Sequence, residues 1–511
     1  MSTEINEQET PNGLARAARH VRVAVIGAGF SGLSIACRLR EQGVEDFLIV
    51  ERSSTAGGVW RDNTYPGVQC DIPSHLYSLS FAPNPDWERA FSKGTQIHAY
   101  LRKVAAERLL GHQISYQEEV LRADWDDSRL LWRISTSKRN LTADVLIACA
   151  GPLTEPALPD VPGVTAFKGV TMHSNRWDHT HDLTGRRVAV VGTGASAVQL
   201  IPELQKAVAH LVVLQRTPGW VLPRPDRAIP AAEQRLLRRF PGLTRLYRIK
   251  QWALRDTLGY RLIRRNPGIR RLQQRQARKF LARTVPDPQL RAKLTPDYEI
   301  GCKRILMTNE YLPALARPNV TVVDSALSEL TEQSVIAANG EEHPVDAVVF
   351  ATGFDITDAP VFDRIHGRDG QSLAQTWKGR PHFYKGGTTV AGFPNFFNIC
   401  SGGAGSGHAS MVWQAEAQTA YVMDALRTMD RHRIGSVEPR QEAQQRYMKW
   451  VKDELGATVW LRGGCHSWYL DADELPTIMW PKSMIGFRRL LRRFDLENFE
   501  TRSAQFDQPR H

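Results

Sequence analysis

The chain has no stretch of 18 consecutive apolar residues among its 511. That argues against an ordinary membrane-spanning helix. Its opening, MSTEINEQETPNGLARAARH, lacks the apolar centre of a secretory signal. A short disordered tail over residues 1–20, before a first strand at Val21, is expected instead. Cysteine is scarce: Cys37, Cys70, Cys149, Cys302, Cys400 and Cys465 are scattered, with no CxxC spacing. No metal site and no dithiol redox centre are expected. A reducing cytosol, and so a cytoplasmic location, is the natural compartment.

Acidic residues are nearly missing from one region. Residues 231–293 hold 18 Lys/Arg and 3 Asp/Glu, although the whole chain carries only +12, so the remainder is slightly acidic. No base-stacking aromatic platform marks that stretch, and nucleic acid is not an expected partner. A solvated helical face accounts for it. Contact with an anionic membrane surface accounts for it too.

What remains is an ordinary globular composition, 42% apolar and 23% charged, in a chain long enough for about three domains. Two glycine-rich turns stand out. The first is VAVIGAGFSG (Val23–Gly32), with Gly27, Gly29 and Gly32; its second strand ends in LIVER at Glu51. The second is VAVVGTGASA (Val188–Ala197), with Gly192 and Gly194, and Ala197 in the third place; its second strand ends at Arg216. Glu51 and Arg216 each stand 24 residues after the first glycine of their turn. Each half reads as strand, tight turn, helix, strand, which sets a pyrophosphate on a helix N-terminus. An acid at the end of the second strand accepts hydrogen bonds from ribose hydroxyls, and an arginine there pairs with a 2′-phosphate. Two dinucleotides are expected, FAD and NADPH, with hydride transfer between them.

The fold class expected is α/β: two Rossmann-like dinucleotide-binding domains with a helical insertion in the second. Residues 21–151 form the first part of the FAD domain, ending in the strand ADVLIACAG (Ala143–Gly151). Residues 152–352 form the NADPH domain, ending near DAVVFATGF (Asp346–Phe354). Its insertion, 225–297, reads as helices broken by Pro241, Pro267 and Pro286. Residues 353–511 are expected to return to the FAD side. They include an amphipathic helix over GFRRLLRRFD (Gly486–Asp495), with apolar residues at 487, 490, 491 and 494.

Two further segments carry a resemblance. GGVWRDNTYPGVQCD (Gly57–Asp71) and FKGVTMHSNRWD (Phe167–Asp178) resemble the fingerprints of class B flavin monooxygenases. The ending Trp177-Asp178 is that of the type I Baeyer–Villiger monooxygenases, rather than of relatives that oxygenate nitrogen or sulfur. The resemblance runs from Val21 to about Phe499.

The resemblance implies roles. Glu51 would bind the adenosine ribose of FAD. Gly58, Trp60, Asp71 and Tyr77 would lie along the flavin, and Val120 would meet the adenine by its backbone. Thr193, Gly194, Ser196 and Gln199 would approach the NADPH pyrophosphate, with Arg216 and Thr217 at the 2′-phosphate. In IGCKRILMTNEY (Ile300–Tyr311), Lys303 would reach that phosphate and Arg304 would face the flavin. Trp468, in CHSWYLD (Cys465–Asp471), would bond the nicotinamide ribose. The segment after it, LDADELPTIMWPK (Leu470–Lys482), departs from the commonest ketone-oxidising members, so their substrate preference does not carry over.

The implied chemistry places one oxygen atom beside a ketone carbonyl, giving an ester or lactone through a C4a-peroxyflavin. Dioxygen and a small ketone would be the partners, with Arg304 and Asp71 catalytic. Arg304, a permanent cation, would stabilise the negative charge that passes onto the substrate, and Asp71 would orient it. His173, between the two units, reads as a hydrogen-bonded hinge residue rather than a base. The alternative is a flavin-containing N- or S-oxygenating monooxygenase, which would not need Arg304.

Overall fold

The computed structural model describes residues 19–504, apart from Arg265, Thr357, Asp358, Ser401, Ser406, His408, His466, Trp468 and Ala472. Of the tail expected over residues 1–20, residues 1–18 lie outside the described residues. The last two belong to the first strand, which begins at Arg19.

Strands of buried aliphatic residues decide the architecture. Phe47–Val50 and Ala347–Phe350 are buried at every position. Such runs need helices on both faces of a parallel sheet. In the first sheet, Arg19–Ile26 lies parallel between Phe47–Val50 and Asn140–Ala148. An antiparallel pair, Val120–Asp126 and Leu131–Thr136, extends it. Late in the chain, Ile365–His366 and Phe396–Asn398 join the same sheet. The helix Met411–His432 runs beside Phe30–Glu41, where Ser34 Oγ and Thr419 Oγ1 are 3.1 Å apart. Chain after Phe354 therefore completes the first unit.

The second sheet is wholly parallel, in the order Val320–Val323, His210–Leu214, Arg187–Val191, Ala347–Phe350, Val170–His173. Two strand exits connect the units side by side. Ala157 N donates to Gly353 O (3.0 Å), and Asp355 N donates to Glu155 O (2.9 Å).

The insertion forms helices Ala231–Arg239, Pro241–Ile263, Pro267–Thr284 and Pro288–Lys293. Pro241 and Pro267 open helices rather than break them, because the first helical N–H needs no partner. In the chain the insertion interrupts the second unit, yet in space it touches both. Helix Pro241–Ile263 packs on the first: Arg248 Nη1 donates to Ser78 O (2.8 Å), and Trp252 stacks on Trp413 at 5.2 Å. Helix Pro267–Thr284 gives Phe280 and Leu281 to the core of the second. The helix expected over Gly486–Asp495 is shorter and earlier, Met484–Leu490. Phe487, Leu491 and Phe494 are nonetheless buried.

Candidate active site

Each glycine turn is shaped by what a side chain would strike. A Cβ at Gly32 would lie 1.9 Å from Gly27 O, and one at Gly192 would lie 2.4 Å from Ala351 O. Strand and helix can meet there only over bare backbone. Gly29 and Gly194 are different. A Cβ at Gly29 would meet only Gly58 Cα, at 3.7 Å, and nothing lies within 4 Å at Gly194. Both leave room for a group to approach the backbone at the start of a helix, Phe30–Glu41 or Ala197–Ala207. These cradles fit two dinucleotide pyrophosphates.

At the first turn, Glu51 is buried and accepts from Ala28 N (2.8 Å), Ser53 N (2.9 Å) and Arg61 Nη1 (3.0 Å). The fingerprint folds back over it. Trp60 Nε1 donates to the Tyr77 hydroxyl (3.2 Å), and the Tyr77 ring meets Phe30 at 5.1 Å. Val120 begins the antiparallel extension, with its carbonyl taken by Arg364 Nη1 (2.8 Å).

At the second turn, Thr193 Oγ1 donates to Thr217 O (2.9 Å), which draws the turn toward the strand end. Arg216 there is exposed. Lys303 approaches from the later segment, with its ammonium 5.3 Å from the Tyr298 ring centre. Burial lowers the Lys303 pKa, and the charge of Arg216 lowers it further. Two cations that feel each other's charge are a fitting host for a phosphate, although Asp297 partly offsets the charge at Lys303. Ser196 lies in the turn itself. Gln199 does not point along it: its amide accepts from Tyr65 OH (2.9 Å) and Gln69 N (3.1 Å) and donates to Gln69 O (2.9 Å). It ties the second unit to the fingerprint of the first.

Asp71 and Arg304, 233 residues apart, meet across the units. Arg304 Nε donates to Oδ2 of Asp71 (3.0 Å), and Nη2 donates to Oδ1 (2.7 Å) and Oδ2 (2.8 Å). The side chains keep 31% and 20% of their surface, so the pair borders open space rather than the core. The Asp71 carboxylate, above all, raises the Arg304 pKa, outweighing the opposite effect of burial. The guanidinium keeps its charge at every working pH.

Three features here escaped the sequence. Arg255, on helix Pro241–Ile263, is within electrostatic reach of the pair: burial lowers its pKa, and the charge of Asp71 opposes this most strongly. Tyr469 is buried, and burial lifts its pKa to about 12 although the charge of Arg304 pulls the other way. Cys302, directly before Lys303 and Arg304, is bonded to Cys465. Spacing gave no sign of this pair, because its members lie 163 residues apart. Trp468, expected at the nicotinamide ribose, lies outside the described residues. His173 is buried and nearly edge-on to Phe354, and its Nδ1 accepts from Asn175 N (3.1 Å). Burial lowers its pKa to about 4, so it is a neutral joint between the units.

Known proteins resemble this chain over most of its length. The family model of flavin-binding monooxygenase-like proteins matches residues 20–368. A Baeyer–Villiger monooxygenase of Streptomyces coelicolor is 47% identical over 484 residues, covering 94% of this chain and 92% of that protein. A cyclohexanone monooxygenase from Rhodococcus sp. Phi1 bound to NADP+ superposes with a TM-score of 0.82 at 27% identity, over 95% of this chain and 100% of the other. A structure of OTEMO in complex with FAD and NADP gives 0.84 at 25% identity, with the same coverage. The chain belongs to the flavin-binding monooxygenase-like family, and within it stands with the Baeyer–Villiger monooxygenases.

Proposed function

We propose that this chain is an NADPH- and dioxygen-dependent flavin monooxygenase that inserts one oxygen atom beside a ketone carbonyl, yielding an ester or lactone. The bidentate Asp71–Arg304 pair at the meeting of two nucleotide cradles carries this reading. Kinship with Baeyer–Villiger enzymes supports it over N- or S-oxygenation. When bound, NADPH supplies the hydride and FAD the oxygen-activating chemistry.

The chain's own residues do the rest. The turns at Gly27–Gly32 and Gly192–Ala197 hold the two pyrophosphates, Glu51 the FAD ribose, and Arg216, Thr217 and Lys303 the 2′-phosphate. Gly58, Trp60 and Tyr77 wall the flavin side. Arg304 aims a permanent positive charge at the carbonyl oxygen as negative charge develops there. Asp71 holds the guanidinium plane by two parallel bonds, a geometry that lysine cannot reproduce. Replacing Arg304 by Ala should lower kcat for ester formation about 10²–10³-fold, the usual effect of losing one such electrostatic contact. A ketone and a thioether are assayed side by side. Ester formation at the wild-type rate in Arg304→Ala would end the mechanism.

The basic insertion docks, on this reading, on an anionic membrane and so presents the enzyme to lipophilic ketones. Of the thirteen exposed large apolar side chains among the described residues, eight lie between Leu236 and Leu272. On helix Pro241–Ile263, Leu243, Leu246, Leu254 and Leu258 form one outward stripe with Lys250 and Arg261. Apolar anchors among cations suit an anionic lipid surface. A second copy on the same face would set two strongly positive surfaces against each other. Vesicle flotation should show binding with phosphatidylserine at low salt, reduced by high salt and by Leu246→Glu. Equal binding to neutral vesicles, or none to either, counts against it. A cytoplasmic location follows from the need for NADPH, and cell fractionation tests it. The Cys302–Cys465 bond is the feature least at home in that compartment.

A further inference from the structure

The two cysteines flank the proposed reaction centre. Cys302 is fully buried and stands two residues before Arg304. Cys465 is half-buried, and its bond to Cys302 ties the chain there to the residues just before Arg304. The chain around the bond is closely fitted. Glu299 N donates to Gly463 O (2.9 Å), and a Cβ on Gly463 would lie 2.7 Å from Cys302 Cβ. A Cβ on Gly301 would come within 3.1 Å of Leu262 Cδ2. The other four cysteines are buried free thiols. Burial raises each of their pKa values, Cys37 and Cys400 to about 12, so they stay protonated and inert. Cys465 is the one cysteine with access to solvent.

We propose that Cys302 and Cys465 are positioning residues, whose bond ties the chain at Cys465 to the turn that carries Arg304, and that a dithiol reductant opens this bond and weakens oxygen transfer to the ketone. The proposal rests on the reading of Arg304 as the catalytic cation. In the exchange, one thiolate of the dithiol attacks the reachable sulfur of Cys465, and Cys302 departs as a thiolate. The second thiol of the reductant then displaces Cys465 from the mixed disulfide. Two electrons and two protons pass to the protein, which gains two thiols, while the reductant becomes a disulfide. Excess oxidised dithiol reverses the exchange.

The test uses full-length holoenzyme purified without reductant. Thiol titration of the denatured protein should find four free thiols, and six after dithiothreitol. On reduction, ester formed per NADPH consumed should fall and the KM for ketone should rise, together about tenfold, as expected for a slightly misplaced reacting geometry. Flavin content and melting temperature serve as controls. Oxidised dithiothreitol should restore the original values. The double variant Cys302→Ser/Cys465→Ser should match the reduced enzyme and ignore dithiothreitol, whereas Cys37→Ser should respond like wild type. Six thiols before reduction, or a reduced enzyme with unaltered coupling and ketone KM, overturns the proposal even if the double variant fails to fold. A loss of flavin or of melting temperature that accounts for the whole activity change also overturns it, because the bond would then be merely structural. If dithiothreitol does nothing while Arg304→Ala abolishes ester formation, only the positioning role fails. If Arg304→Ala leaves ester formation intact, the catalytic reading fails first.

Discussion

Arg304 is charged by its own chemistry, and Asp71 faces it with both carboxylate oxygens and fixes its plane. Removing that carboxylate charge while keeping its shape separates orientation from flavin binding. Asp71→Asn should retain flavin and lower kcat/KM for the ketone about 10²-fold, the scale on which misplaced reacting groups lose rate; steady-state kinetics on the yellow protein check it. Arg216→Ala should raise the KM for NADPH about tenfold or more, by loss of a charged hydrogen bond, and leave that for NADH unchanged. Parallel titrations with both nucleotides decide this, and equal losses would remove Arg216 from the 2′-phosphate. Arg216 is marked by its distance from a glycine turn, whereas Asp71 and Arg304 stand out through the family resemblance of their segments. Arg255 does not stand out in this way, for it is one of 18 cations over residues 231–293 and nothing in the spacing says which of them approach the site.

The strand–turn–helix unit is the element most fully written in the chain. The three glycines of the first turn do different work: Gly27 takes φ +96°, Gly29 leaves space, and Gly32 lets the helix touch Gly27 O. Gly32→Ala would drive a methyl into backbone that cannot yield. It should give a colourless or unfolded protein, at a cost of about 4 kcal/mol or more, read by flavin absorbance and thermal melting. The helical insertion was legible as helices but not as contacts. Its longest helix buries Arg248 and Asp256 beside Leu262 and Ile263 on the inner side and turns a row of leucines outward, so apolar residues stand on both sides. Periodicity reports that two sides exist; it does not report which one meets the protein.

Across the whole molecule, buried histidines link stability to pH. Burial lowers His75 and His173 from 6.5 to about 4. Unfolding returns both to their ordinary value, so the unfolded chain takes up protons first as pH falls. Stability from this source is complete above about pH 6.5 and declines between there and about pH 4, below which these groups add no further loss. At pH 5 each costs about 2 kcal/mol. Urea melts at pH 7 and pH 5 should show a lower midpoint at pH 5; equal midpoints would show that neither ring is held neutral. Both histidines sit where parts of the molecule meet, His75 against Tyr247 of the insertion and His173 against Phe354 at the crossing between units. Acid should therefore loosen those junctions before the sheets.

The two nucleotide units, their order and the opposite charges at their strand ends were determined by the sequence alone. They depend on local rules: apolar runs for buried parallel strands, glycine where backbone meets backbone, and a fixed distance from turn to strand end. Tertiary structure decided everything that joins distant chain. It brought Asp71 to Arg304, turned the amide of Gln199 onto Tyr65 and Gln69, laid the insertion over both units, and paired Cys302 with Cys465. Such meetings carry no spacing signal, because they follow from how the packed surfaces of two separately legible units fit together.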